Sequence, residues 1–119
     1  MKLLSRLQSA VFVGLMLVAT GSSHEDRMTV TEKDLRAAAT QKVEPEYPAV
    51  ARQIRLTGEV ELEVLVDPLG AVEKANVLRG NTLLIGPSLQ AIRKWKFKPF
   101  ASANGPAHAT GSIKFNFQM

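Results

Sequence analysis

The stretch Gly58-Glu59-Val60-Glu61-Leu62-Glu63-Val64-Leu65-Val66-Asp67-Pro68-Leu69-Gly70 is the clearest structural signal in this chain. Val60, Leu62, Val64 and Val66 alternate with Glu59, Glu61, Glu63 and Leu65, a period of two that predicts a strand with one buried and one solvated face. Asp67-Pro68-Leu69-Gly70 predicts a tight turn, because Pro68 presets the first corner and Gly70 takes a backbone conformation that other residues avoid. Ala71 to Arg79, with Val72, Ala75, Val77 and Leu78, then reads as a second, less regular strand closing a hairpin. The three glutamates line one face of the first strand and invite comparison with a catalytic or calcium-binding carboxylate set. Alternate residues on a flat strand stand almost 7 Å apart in the open, with no partnering histidine, so the row reads as a solvated face that resists aggregation.

Beyond the hairpin, Gly80-Asn81-Thr82 breaks the sheet, Leu83-Leu84-Ile85 leads on, and Pro87 in Gly86-Pro87-Ser88 suits a helix start. Leu89, Ala91 and Ile92 give that helix an apolar stripe, and Arg93 and Lys94 place cations at its C-terminal end. Trp95-Lys96-Phe97-Lys98-Pro99 alternates apolar rings with lysines, and Ala101 to Gly111 reads as a polar loop around the turn signal Asn104-Gly105-Pro106. Ile113, Phe115 and Phe117 then alternate with Ser112, Lys114, Asn116 and Gln118, predicting a last strand. On the N-terminal side, Pro48 begins a helix in which Val50, Ala51 and Ile54 share the buried face, while Arg52, Gln53 and Arg55 face water and Gly58 supplies a left-handed exit. Tyr47 reads as a core aromatic whose hydroxyl reaches the surface.

The predicted order, helix, strand, strand, helix, strand, is an α+β fold: a three-stranded antiparallel sheet with both helices on one face. Glu44-Pro45-Glu46-Tyr47-Pro48-Ala49-Val50-Ala51-Arg52, Gly58-Glu59-Val60, Asp67-Pro68-Leu69-Gly70, Trp95-Lys96-Phe97-Lys98-Pro99 and the aromatic alternation of the last strand follow one another within residues 42–119. In that order they resemble the C-terminal domain of TonB-family energy transducers. The resemblance implies the αββαβ fold, with Tyr47, Pro48, Gly58, Gly70, Trp95, Phe97 and Pro99 as its structural positions. It also implies a periplasmic protein-binding module without a cofactor, not an enzyme. The last strand, Ser112, Ile113, Lys114, Phe115, Asn116, Phe117 and Gln118, would lie at a sheet edge and pair with an N-terminal segment of an outer-membrane receptor. Lys42, Val43 and Glu44, just before the Tyr-Pro pair, would approach the same segment. An edge strand is a row of unpaired N–H and C=O groups, which makes such capture physically natural. Exchange of edges between two copies would instead give a swapped homodimer, the structural alternative.

At the N-terminus, Lys2 and Arg6 precede the apolar run Ala10 to Ala19 and the small residues Gly21, Ser22 and Ser23. A ten-residue helix reaches about 15 Å against a hydrocarbon core of ~30 Å, so residues 1–21 read as a cleavable secretory signal that places the protein in the periplasm. Residues 22–41 read as a flexible polar lead-in, although Thr31-x-x-Asp34 followed by Leu35 to Ala39 leaves a short helix open. Full-length transducers of the resembling family carry a histidine-bearing membrane helix and a Pro-rich spacer, whereas His24 and His108 here fall in predicted loops, so a non-energised periplasmic adaptor stands as a second alternative beside the swapped dimer.

Composition narrows the function classes. The 119 residues contain no cysteine and two histidines, which excludes disulfides, thiolate metal sites and a thiol nucleophile. A formal net charge of +4, halved when Lys2 and Arg6 leave with the signal, gives no nucleic-acid footprint, because acids and bases alternate. Neither a Gly-rich phosphate loop, a nucleophile elbow nor an H-x-x-x-H spacing occurs, so nothing supports a hydrolase or a small-molecule substrate.

Overall fold

In the computed structural model, which describes residues 27–119, the alternating stretch forms strand β3 (Gly58–Val66), with Val60, Leu62, Val64 and Val66 all fully buried. The expected signal, residues 1–21, and the first part of the lead-in, residues 22–26, lie outside the described residues. Strand β4 (Val72–Arg79) returns antiparallel to β3. The turn between them is held by Asp67, whose Oδ1 accepts from the N–H groups of Leu69 and Ala71, both at 2.9 Å. Gly70 sits at φ 95, and a Cβ there would lie 2.0 Å from the Phe97 carbonyl oxygen, so glycine serves both the turn and a close crossing of chains.

On the other side of β3 runs the long last strand β7 (Gly105–Phe117), paired antiparallel without a register shift from Gly58↔Phe117 to Val66↔Ala109. Its inward residues Ala109, Ile113, Phe115 and Phe117 join those of β3 in the core. Fully burying a Val, Leu, Ile or Phe side chain contributes ~1.5–3 kcal/mol, so this shared face dominates the fold's stability. Three helices deliver buried residues to the same cluster: α1 (Glu32–Ala38) through Leu35, α2 (Ala49–Gln53) through Ala51, and α3 (Thr82–Ile92) through Leu84, Ala91 and Ile92. The α+β class is therefore as expected, and the element count is larger.

The additions come first from residues 27–41, expected as a flexible lead-in. Arg27–Thr29 forms β1, parallel to β7 with Arg27↔His108 and Thr29↔Thr110, and Ala39–Gln41 forms β2, paired with the short β5 (Lys96–Phe97). Between them the Thr31 hydroxyl accepts the Asp34 N–H at 3.1 Å and caps α1, and Leu35 is fully buried. One large apolar side chain in a ready-made core site suffices to fold a segment that cannot stand alone. The sheet order is thus β1-β7-β3-β4.

Further differences concern local chemistry. The expected polar loop at 101–111 is a hairpin of β6 (Phe100–Ser102) with the first part of β7, which begins at Gly105. Helix α3 starts at Thr82, not Pro87, because the Asn81 side chain accepts from the Leu83 N–H at 2.9 Å; Pro87 lies inside the helix. Val50 and Ile54, expected buried, are exposed at 55% and 62%. α2 is only five residues long, and its chain leaves through Arg55 at φ 56, so Ala51 and the partly buried Leu56 face the core instead. Pro99, expected among the structural positions, is exposed between β5 and β6, whereas Trp95 and Phe97 are buried.

Candidate functional site

An antiparallel ladder sends the peptide groups of successive residues to opposite sides. The Lys114 N–H of β7 points away from β3, so Ser112, Lys114 and Asn116 present backbone groups at the outer edge, while Ile113, Phe115 and Phe117 bond to β3. The seven expected docking residues therefore divide in two. Ile113, Phe115 and Phe117 spend their side chains in the core and their peptide groups on β3; Lys114, Asn116 and Gln118 are exposed, and Ser112 is half-buried. Gln118 lies just past the strand's end.

That outer edge is partly occupied by the chain itself. The Glu32 carboxylate accepts the Lys114 N–H at 3.0 Å, the Arg36 guanidinium donates to the Lys114 carbonyl at 2.6 Å, and the two side chains bond to each other at 3.0 Å. Together they meet both peptide groups of Lys114 as a neighbouring strand would. Four residues back along β7, Val30 donates its N–H to the Thr110 carbonyl at 2.9 Å, extending β1 along the same edge. Gly111 makes the approach feasible: a Cβ there would lie 2.7 Å from the Val30 carbonyl oxygen and 3.3 Å from Leu35 Cδ2. No hydrogen bond from the segment reaches the outward peptide groups of Ser112 or Asn116 among the described residues.

Lys42, Val43 and Glu44 stand elsewhere. The Trp95 Nε1–H donates to the Val43 carbonyl at 2.9 Å, and Val43 and Glu44 line a shallow groove against Pro87, Gln90, Ala91 and Lys94 of the α3 side. Trp95 packs edge-on against Phe115 at 5.9 Å and beneath the Arg36 guanidinium at 5.7 Å, so these residues reach the β7 edge only through the indole. Tyr47 is half-buried: its ring stands perpendicular to Phe117 at 5.5 Å and its hydroxyl donates to the Leu56 carbonyl.

The opposite edge, β4, has no strand beyond it among the described residues, yet it suits pairing poorly. Its register with β3 shifts twice, and Glu73, Lys74 and Arg79 are exposed along it. Bulges and charges of this kind blunt an edge. On the sheet's solvated face the glutamate row is answered across strands, with Glu61 bonded to Arg79 at 3.0 Å and Glu63 to Asn76 at 3.5 Å. No group of three metal-ligating side chains occurs among the described residues, and none of the described helices is long and apolar enough to cross a membrane.

The alternation of the last strand gives its inward and outward residues, and the resemblance implies an edge there; neither shows the occupants of its outer side, Val30, Glu32, Leu35 and Arg36, or the role of Gly111. The signals were present: an i,i+4 Glu-Arg pair on a capped helix, and a glycine interrupting a strand pattern.

Residues 43–119 match the family described as the Gram-negative bacterial TonB protein C-terminal. The chain belongs to the TonB C-terminal domain family. The protein TonB of Vibrio cholerae serotype O1 (strain ATCC 39315 / El Tor Inaba N16961) is 35% identical over 88 residues, covering 72% of this chain. The chain spans 36% of that relative's length. The solution structure of the Pseudomonas aeruginosa TonB C-terminal domain superposes with a TM-score of 0.59 at 22% identity, covering 68% of this chain and 84% of that one, a likeness of fold. The family match begins at residue 43, so β1 and α1, which dress the edge of β7, precede the matched region.

Proposed function

We propose that this TonB-type domain is a periplasmic protein-binding module that captures an extended segment of an outer-membrane receptor by strand addition along Ser112 to Gln118, as part of outer-membrane transport. The observation that carries this reading is the unbroken register of β7, which leaves the peptide groups of Ser112, Lys114 and Asn116 in line on one edge. Strand addition draws affinity from such main-chain groups, with pockets for alternate side chains adding selectivity. Family membership and the relative named TonB support a receptor as the partner. The apolar run after Lys2 and Arg6 supports secretion. Of Lys42, Val43 and Glu44, Val43 acts in this reading through Trp95, its carbonyl holding the indole that supports Phe115.

The reading is tested by placing a photo-crosslinking amino acid at Asn116 on β7 and, separately, at Asn76 on β4 in cells. Covalent adducts with outer-membrane receptors from Asn116 and none from Asn76 are expected. Adducts from Asn76 alone would move the site to β4, and adducts between two copies of this chain from Asn116 would favour the strand-swapped homodimer.

A further inference from the structure

Building on the strand-addition reading, we propose that α1 is a built-in competitor for the docking edge of β7, holding Lys114 until an extended partner displaces it. Four contacts carry this. Glu32 takes the Lys114 N–H, Arg36 takes the Lys114 carbonyl, Val30 takes the Thr110 carbonyl, and Gly111 lacks the Cβ that would strike Val30 and Leu35. An added strand needs the same two peptide groups of Lys114, and it lies about 4.8 Å from β7, in the space α1 now fills. The two occupants exclude each other.

The nature of the clamp sets how it opens. Lys114 is held by side chains and not by backbone, so its bonds can be exchanged one at a time. Leu35, fully buried, is the anchor that withdraws with the helix. A partner that replaces it must therefore be extended and carry an apolar side chain at the alternate position that falls over Gly111, refilling the place of Leu35. The competitor lowers apparent affinity by the fraction of molecules whose edge is free, and anything that weakens α1 raises it.

The test uses the full chain and two kinds of release. In one, Glu32→Ala and Arg36→Ala together remove the clamp; in the other, Gly111→Ala pushes Val30 and Leu35 off the strand. Amide hydrogen exchange certifies opening: Lys114 and Val30 should exchange faster, while Val64 in the core stays protected. Synthetic peptides copying the N-terminal segments of the same bacterium's outer-membrane receptors are then titrated. Both releases are expected to tighten binding about tenfold, and replacing the peptide's apolar alternate residue with aspartate should abolish the gain. Equal affinity for the wild type and both opened variants would overturn the competitor while leaving strand addition standing. Binding to none of them, with the edge shown open by exchange, would overturn both. Folded variants in which Lys114 exchange is unchanged would show that the four contacts do not hold the edge, and the proposal would fail on that ground.

Discussion

Arg55 has a left-handed backbone, φ 56, without being glycine. It closes α2: the Leu56 N–H reaches the Ala51 carbonyl at 2.8 Å and the Arg55 N–H reaches the Arg52 carbonyl at 3.1 Å, the paired bonds of a Schellman exit. A side chain in this conformation costs roughly 1–2 kcal/mol relative to glycine, part of which glycine's freer unfolded chain takes back. Arg55→Gly is therefore expected to raise stability by about 0.5–1 kcal/mol, read as a higher denaturation midpoint at unchanged slope. Gly70 is the opposite case. Its φ of 95 and the Phe97 carbonyl 2.0 Å from a would-be Cβ leave no room for a side chain, since backbone cannot yield as a flexible chain end can. Gly70→Ala should cost at least ~2 kcal/mol by combined strain and displacement of β5, measured by the same titration. Trp95, 2% exposed and stacked among Phe97, Phe115 and Arg36, should lose about 3–5 kcal/mol on Trp95→Ala, a large share of the ~5–15 kcal/mol a domain commands. A variant that melts like wild type would remove Trp95 from the core.

At the scale of elements, β7 makes a sharp prediction because its two sides do different work. Proline removes one N–H and cannot continue a ladder. Phe115→Pro strikes a bond to β3 and a buried ring, and should unfold the domain; Asn116→Pro strikes an outward N–H near the strand's end, and should leave it folded while weakening peptide capture at least about tenfold. Melting and peptide titration of the two variants separate these effects. The elements themselves were unequally legible. The alternation of β3 and β7 and the Asp67 turn could be read directly, because period-two patterning and turn chemistry are local. For α1 the cap signal at Thr31 leaves a short helix open and goes no further, because its folding depends on one leucine finding a core site some eighty residues away in sequence. Val50 and Ile54 misled for the related reason that a helical stripe shows which residues share a face, not whether the helix is long enough to lay that face down. Pro87 read as a start, yet Asn81 offered a cap six residues earlier. At the edge, the alternation marked Lys114 and Asn116, but nothing local in the sequence links Glu32 to Lys114.

Across the whole sheet, both edges are managed by different means: β4 by bulges and charge, β7 by the chain's own lead-in. The lead-in is held strongly enough to matter and weakly enough to leave. Burying Leu35 contributes ~2–3 kcal/mol and each charge-assisted bond to Lys114 ~1.5–3 kcal/mol before the entropy of ordering α1 is subtracted. The tenfold gain expected on release corresponds to a net hold of about 1.4 kcal/mol, well below the domain's expected stability, and an incoming segment must offset it. Capture of an extended partner on the outer edge of β7 is the proposal on which the rest depends. The direct measurement is residue-resolved amide hydrogen exchange of the full chain with and without receptor N-terminal peptides. New protection at Ser112 and Asn116, retained protection at Lys114, and loss of protection at Val30 and through α1 as the lead-in is displaced are expected. New protection confined to Val72–Arg79 of β4, with Ser112 and Asn116 unchanged at saturating peptide, would contradict it.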